Sequence, residues 1–191
     1  MDMDKIASKI AIALEVYPAK ELFSGEYIKV FERNGYEYIS GSKTNNDNYS
    51  AILPYEKTDD GIYVYIHNEP RLNHNETYVL VPSCVTGTIE DGESYLENAI
   101  KELGEEVGFY NVDESKWKAA GTYYPSKATS EVYHAFLVDV TGLEIKEPKG
   151  DGSNMEKMSN CGKYKLEKAQ EIVKDAIFHT LVLKFKDNIN E

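Results

Sequence analysis

The sequence predicts an α/β protein, an α/β/α sandwich around a mixed sheet, and three observations predict it. Strand-like runs bounded by turn residues recur along the chain, with few helical patterns among them. The 191 residues suit one ordinary domain able to bury a core, with a terminal extension. No internal repeat or low-complexity tract suggests a solenoid or a disordered chain. The expected division is an extension over 1–48, with a helix and a β-hairpin, and a main domain over 49–191.

Residues 5–16 carry Ile6, Ile10 and Leu14 at helical spacing and stop before Pro18, predicting a first helix. Tyr27 to Phe31 and Tyr36 to Ser40 read as two strands turned at Arg33-Asn34-Gly35. A polar loop over 41–48 follows, then strands over 49–55 and 62–67 about an Asp59-Asp60-Gly61 turn. Residues 69–76 read as a polar loop and 77–81 as a strand.

The strongest helix comes next. Ser94 and Glu97 form an S-x-x-E capping box, so the helix starts at about Tyr95. Leu96, Ala99, Ile100, Leu103 and Val107 make one apolar stripe, and Gly108 offers a stop. Beyond it, residues 117–123 and 132–140 read as strands separated by a loop over 125–130. A charged loop over 146–154 precedes a short strand at 156–158. Residues 166–174 and 176–185 read as one broken helix or two adjacent ones.

The candidate chemistry lies on the central helix. Glu102, Glu105 and Glu106 fall on the face away from its apolar stripe, where positions three and four apart are neighbours. Crowded carboxylates repel one another unless a cation intervenes, and oxygen-only ligands suit a hard ion such as Mg²⁺. A glycine-containing loop, Gly87-Thr88-Ile89-Glu90-Asp91-Gly92-Glu93, leads into this helix.

Together these residues resemble the Nudix box, G-x5-E-x7-R-E-U-x-E-E-x-G-U with U a bulky apolar residue. Gly87, Glu93, Glu102, Leu103, Glu105, Glu106, Gly108 and Phe109 match in register. Lys101 stands where the family has arginine, and an ammonium cannot grip a carboxylate bidentately. The resemblance implies a Nudix-type sandwich and Mg²⁺- or Mn²⁺-dependent cleavage of a phosphoanhydride. It implies metal ligation by Glu102, Glu105 and Glu106 and the Thr86 carbonyl, with Glu93 bracing the loop or adding a ligand. Catalytic roles fall to Glu102 and Glu106, and to a general base that is either Glu131 or Glu156, of which Glu131 is preferred.

Over about residues 20–186 the chain is similar to the ADP-ribose pyrophosphatase branch. The matching segments are Ser24 to Val30, Gly35 to Ile39, Ala51 to Pro54, Asn68 to Arg71, Asp151-Gly152 and Lys174 to Ala176. The resemblance implies ADP-ribose as substrate, with AMP and ribose 5-phosphate as products. Tyr27 and Tyr36 then stack on a purine, Glu37 reads an exocyclic amine and Arg71 holds a phosphate or ribose oxygen. It also implies a homodimer with composite sites. Two departures stand out: Ser83 to Thr86 replace a shorter loop before Gly87, and Gly104 interrupts the helix at a cost of about 1 kcal/mol relative to alanine. A dinucleotide, nucleotide-sugar or nucleoside-triphosphate substrate, or a non-catalytic nucleotide sensor, are the alternatives.

The net charge of −12 argues against nucleic acid or an anionic membrane as partner. It also requires metal ions to invert the local field for an anionic substrate. Cys84 and Cys161 have no ligand spacing, and the histidines at 67, 74, 134 and 179 form no ligand pair and are expected to be structural or surface residues. No apolar run reaches the ~20 residues of a membrane span. The acidic start and Glu15 do not suit a signal peptide, so a cytoplasmic protein is expected.

Overall fold

The computed structural model describes residues 17–41, 47–70, 80–150, 152 and 156–189. The expected first helix, the loop at 42–46, Arg71 and the start of the 77–81 strand lie outside these residues. Alternation along the central strand β4 (Asn48–Thr58) sets the layering. Ala51 and Leu53 pack with Phe178, Leu181 and Phe185 on one side. Ile52, between them, packs with Ala99, Leu103 and Val107 on the other. With a side-chain period of two, one strand therefore feeds two cores. The result is the expected α/β/α sandwich.

Strand β4 pairs antiparallel with β5 (Gly61–Pro70) and parallel with β9 (Val132–Asp139). Strand β8 (Trp117–Tyr123) closes one edge and β10 (Asn160–Lys165) the other, giving the order β10-β5-β4-β9-β8. Towards one end of the sheet β4 and β5 diverge. Strand β6 (Leu80–Ser83) follows β5 and β7 (Val85–Thr88) follows β4, filling the fork. The segment expected to be an altered loop before Gly87 is thus largely strand, with Thr86 registered opposite Ala51.

Helix α1 (Tyr95–Glu102) starts in the expected capping box, with Ser94 accepting from the Glu97 amide and Glu97 from the Ser94 amide. Past Glu102 it widens into a π-helical turn, Leu103–Val107, which the periodicity does not predict. Gly108, at φ 96°, takes the left-handed position that ends it. Helices α2 (Leu166–Ile172) and α3 (Ala176–Ile189) cover the opposite face as two separate helices.

Other expectations shift. Residues 156–158 form a 3₁₀ turn instead of a strand, and the strand is β10, six residues pairing antiparallel with β5. Its sequence, Asn-Cys-Gly-Lys-Tyr-Lys, lacks apolar alternation, as suits an edge strand. The N-terminal hairpin is part of a three-stranded sheet of β1 (Lys20–Ser24), β2 (Ile28–Arg33) and β3 (Tyr36–Gly41). Tyr27 lies in the turn before β2. No helix among the described residues is long and apolar enough to cross a membrane.

Candidate active site

The fork in the sheet brings the glycine loop onto the motif helix. Gly87 ends up so close to Glu102 that a Cβ there would overlap the Cγ and Cδ of the glutamate. The carboxylate therefore lies on bare main chain, which only glycine permits. Burial drives its pKa up to about 7, Lys101 opposes the rise, and Glu105 and Glu93 add to it. A carboxyl poised there exchanges a proton readily near neutral pH.

Glu106 enters the sheet edge. Its side chain is 12 % exposed, and its Oε2 lies 3.2 Å from Nδ1 of buried His67 on β5. Burial lowers the His67 pKa to about 4, so the ring is neutral near pH 7 and packs against the carboxylate as an uncharged neighbour. Sequence reasoning placed His67 among structural or surface residues. Nothing in its spacing relates it to Glu106, because the contact depends on the π turn and on β5 register. Glu105 is more open, with its Oε2 4.0 Å from the Lys101 ammonium. The three carboxylates thus do not simply share a solvated face: each turns to a different partner.

Glu93 braces the loop. Its Oε2 accepts from the Glu90 amide at 3.2 Å and from Asn98 Nδ2 at 3.0 Å. Asn98 is a second residue the sequence reading missed. Fully buried, it donates to the Thr88 carbonyl at 2.9 Å and lies 3.5 Å from Glu102 Oε1, while Ser50 donates to its Oδ1. This amide ties the loop, through Thr88 and Glu93, to the motif helix. A buried asparagine one helical turn before Glu102 was the available signal.

Two cavities are lined by residues next to Gly87 and Glu102 in sequence. One, of about 340 Å³, is lined by His67, Glu105, Glu106, Lys149, Gly150 and Cys161, among others. The other, of about 240 Å³, holds Thr86 and Glu131 with Glu69, Tyr133 and Asp175. Burial raises the Glu131 pKa, Thr129 opposes the rise and the charge of Asp47 adds to it. The rival base, Glu156, opens the 3₁₀ turn, and its side chain lies outside the described residues.

The late loop is strapped to the motif helix. Lys146 N donates to the Gly108 carbonyl at 2.9 Å and Gly150 N to that of Glu105 at 3.2 Å. The Tyr110 hydroxyl accepts from Lys149 N at 3.0 Å. The ring of Tyr110 packs on Gly104, where a Cβ would come within 2.8 Å of it. Close packing accounts for the helix glycine.

Tyr27 and Tyr36, the expected purine clamp, lie at opposite ends of the hairpin within this chain. Tyr36 pairs with Arg33 at one end of β2–β3, while Tyr27 precedes Ile28 at the other end, opposite Gly41. Six residues of strand put the two backbone positions about 20 Å apart. Both are exposed, at 67 % and 77 % for Tyr27 and Tyr36, and Glu37 follows on β3.

Among the described residues, no three His, Cys, Asp or Glu side chains converge to hold a metal ion. The chemistry of the donor set nevertheless fits a hard divalent cation. It offers carboxylate oxygens only, from one helix end, one of them tuned near neutrality.

A sequence profile of the NUDIX domain matches residues 52–175. No curated protein matches the chain. Among solved structures, the chain is similar to an ADP compounds hydrolase at TM-score 0.62 and 17% identity, covering 90% of this chain and 91% of that one. It is similar to a C. elegans Ap4A hydrolase in a binary complex at 0.56 and 18%, covering 75% and 97%. The NUDIX domain of Shewanella oneidensis NrtR, complexed with ADP ribose, aligns at 0.57 and 9%, covering 76% and 90%. At these identities the likeness is one of fold.

Proposed function

Since the chain belongs to the Nudix family, we propose that it hydrolyses the diphosphate bridge of a nucleoside diphosphate derivative, ADP-ribose being the preferred substrate. The observation that carries this reading is the Glu102 carboxylate seated on Gly87, with its sequence neighbours Glu105 and Glu106 lining one cavity and Thr86, beside Gly87, lining another with Glu131. A substrate with groups on both sides of a diphosphate suits a motif whose residues line two cavities.

Glu102, Glu105 and Glu106, with the Thr86 carbonyl, are the residues that would hold Mg²⁺ or Mn²⁺. Such an ion, when bound, neutralises phosphate charge and lowers the pKa of a water. The protein's own contribution is positional. His67 orients Glu106, Asn98 and Glu93 shape the loop, and Gly87 gives Glu102 its seat. Glu131 takes the proton from the attacking water, its raised pKa bringing it nearer the operating pH.

Base recognition belongs to the N-terminal sheet. Leu22, Phe23, Tyr27, Ile28, Tyr36 and Ile39 are exposed there, more apolar surface than a lone three-stranded sheet keeps wet without reason. A homodimer covers this surface and lets Tyr27 of one copy and Tyr36 of the other take the two faces of one adenine, with Glu37 on its amine and Arg71 on a phosphate or ribose oxygen. A panel of ADP-ribose, diadenosine tetraphosphate, nucleotide sugars and nucleoside triphosphates with Mg²⁺ tests the reading. ADP-ribose is expected to give the highest kcat/KM, with AMP and ribose 5-phosphate as products. A nucleoside triphosphate cleaved faster than every diphosphate derivative would overturn the substrate class.

A further inference from the structure

Asp47 ties the N-terminal sheet to the main sheet. It is 7 % exposed and sits at φ 59°, a left-handed conformation that aspartate tolerates better than most residues. A buried carboxylate must be hydrogen-bonded, and this one is. Its Oδ2 accepts from Ser40 Oγ and Ser130 Oγ, both at 2.6 Å, and its Oδ1 from the Gly41 amide. Its main-chain carbonyl accepts from Val132 N at 2.8 Å.

Ser130 and Val132 are the two neighbours of Glu131, so Asp47 brackets the candidate base on both sides. The same loop is laid along β3 like an added strand. Ile39 N donates to the Ala128 carbonyl at 2.8 Å, and Ser130 N to the Ile39 carbonyl at 2.9 Å. The Glu131 amide is turned back onto Thr129 Oγ1 at 3.0 Å. Asp47 does not line the cavity that holds Glu131. Besides the effect of its charge on Glu131, its hold on that site runs through main chain and through Ser130.

We propose that Asp47 and Ser130 are positioning residues, a clasp by which the N-terminal sheet sets where Glu131 stands over the cavity. The proposal rests on Glu131 acting as general base. It makes the extension part of the catalytic geometry and not merely a base-binding or dimerising appendage. Two short hydrogen bonds onto one carboxylate oxygen suit this task, since charge-assisted bonds are the stronger and more directional ones.

A kinetic double-mutant cycle on the full chain tests it, using Mg²⁺ and ADP-ribose, or diadenosine tetraphosphate should that be the compound cleaved. Ser130→Ala is the principal variant, because it removes one hydroxyl from a part-exposed loop, and Asp47→Asn is the second. Each is made alone and together with Glu131→Gln. Ser130→Ala is expected to lower kcat about 10- to 100-fold with KM changed less than about twofold, the size of effect a small misplacement produces. In the Glu131→Gln background it is expected to change kcat less than about twofold, because there is no base left to position. Equal losses in both backgrounds, or no loss in either, overturn the clasp while leaving the base assignment intact. Glu131→Gln with undiminished kcat overturns both.

Discussion

The side chain of Glu102 rests directly on the main chain of Gly87, fifteen residues earlier in sequence, and the contact leaves no room for a Cβ. Gly87→Ala is therefore expected to evict the carboxylate instead of merely stiffening the loop. Overpacking of this kind costs about 1–3 kcal/mol, and loss of the seat should lower kcat by about 10-fold or more. Thermal melts and steady-state kinetics check both, and unchanged values would contradict the seat.

The raised pKa of Glu102 has a signed consequence. An unfolded glutamate titrates near 4.5, whereas burial moves this one to about 7. Between those values the folded chain holds a proton that the unfolded chain has released, so the contribution of Glu102 to stability falls as pH rises through this window. Without divalent metal, the Tm of the wild-type protein should drop relative to that of Glu102→Gln from about pH 4.5 to about pH 7. A constant difference across that range would contradict the burial argument.

Asn98 links Ser50, Thr88, Glu93 and Glu102 from a position with no exposed surface. Asn98→Ala strands the buried Ser50 hydroxyl, at a cost of about 1–3 kcal/mol, and removes the tie to the Thr88 carbonyl. Denaturant unfolding should show that loss, and the loop before the helix should become sensitive to protease. Wild-type stability would show that Lys101 braces the loop after all.

Gly104 offers a test by rescue. In an open helix, glycine to alanine gains about 1 kcal/mol. Here the new methyl meets the Tyr110 ring at 2.8 Å, so Gly104→Ala should lower Tm. Adding Tyr110→Ala should cancel the collision, giving a strongly non-additive cycle. A stabilised Gly104→Ala would mean that the ring moves aside freely.

How far the sequence could be read follows from which forces are local. Ser94 and Glu97 announce their cap within one turn, and Ala51, Ile52 and Leu53 announce a strand buried on both faces. The motif glutamates stand out because several fixed positions recur in register. The π turn at Leu103–Val107 leaves no trace in periodicity, and β10 has almost no apolar pattern. The pairing of His67 with Glu106, the Asp47 clasp and the packing of Tyr110 on Gly104 join residues whose relation exists only after folding. The two tyrosines of the expected clamp show the converse: similar residues near in sequence are held apart because a strand is stiff and extended.

The central claim is that the motif glutamates hold a divalent cation that the cleavage of a diphosphate bridge requires. Its most direct test is the release of AMP from ADP-ribose, with and without Mg²⁺, by the wild-type protein and by Glu106→Gln. Glutamine keeps an oxygen for His67 while removing the charge. The account predicts Mg²⁺-dependent release by the wild-type protein and a loss of about 100-fold or more in the variant, with ADP-ribose still bound. Release that survives both chelation and the substitution would contradict it.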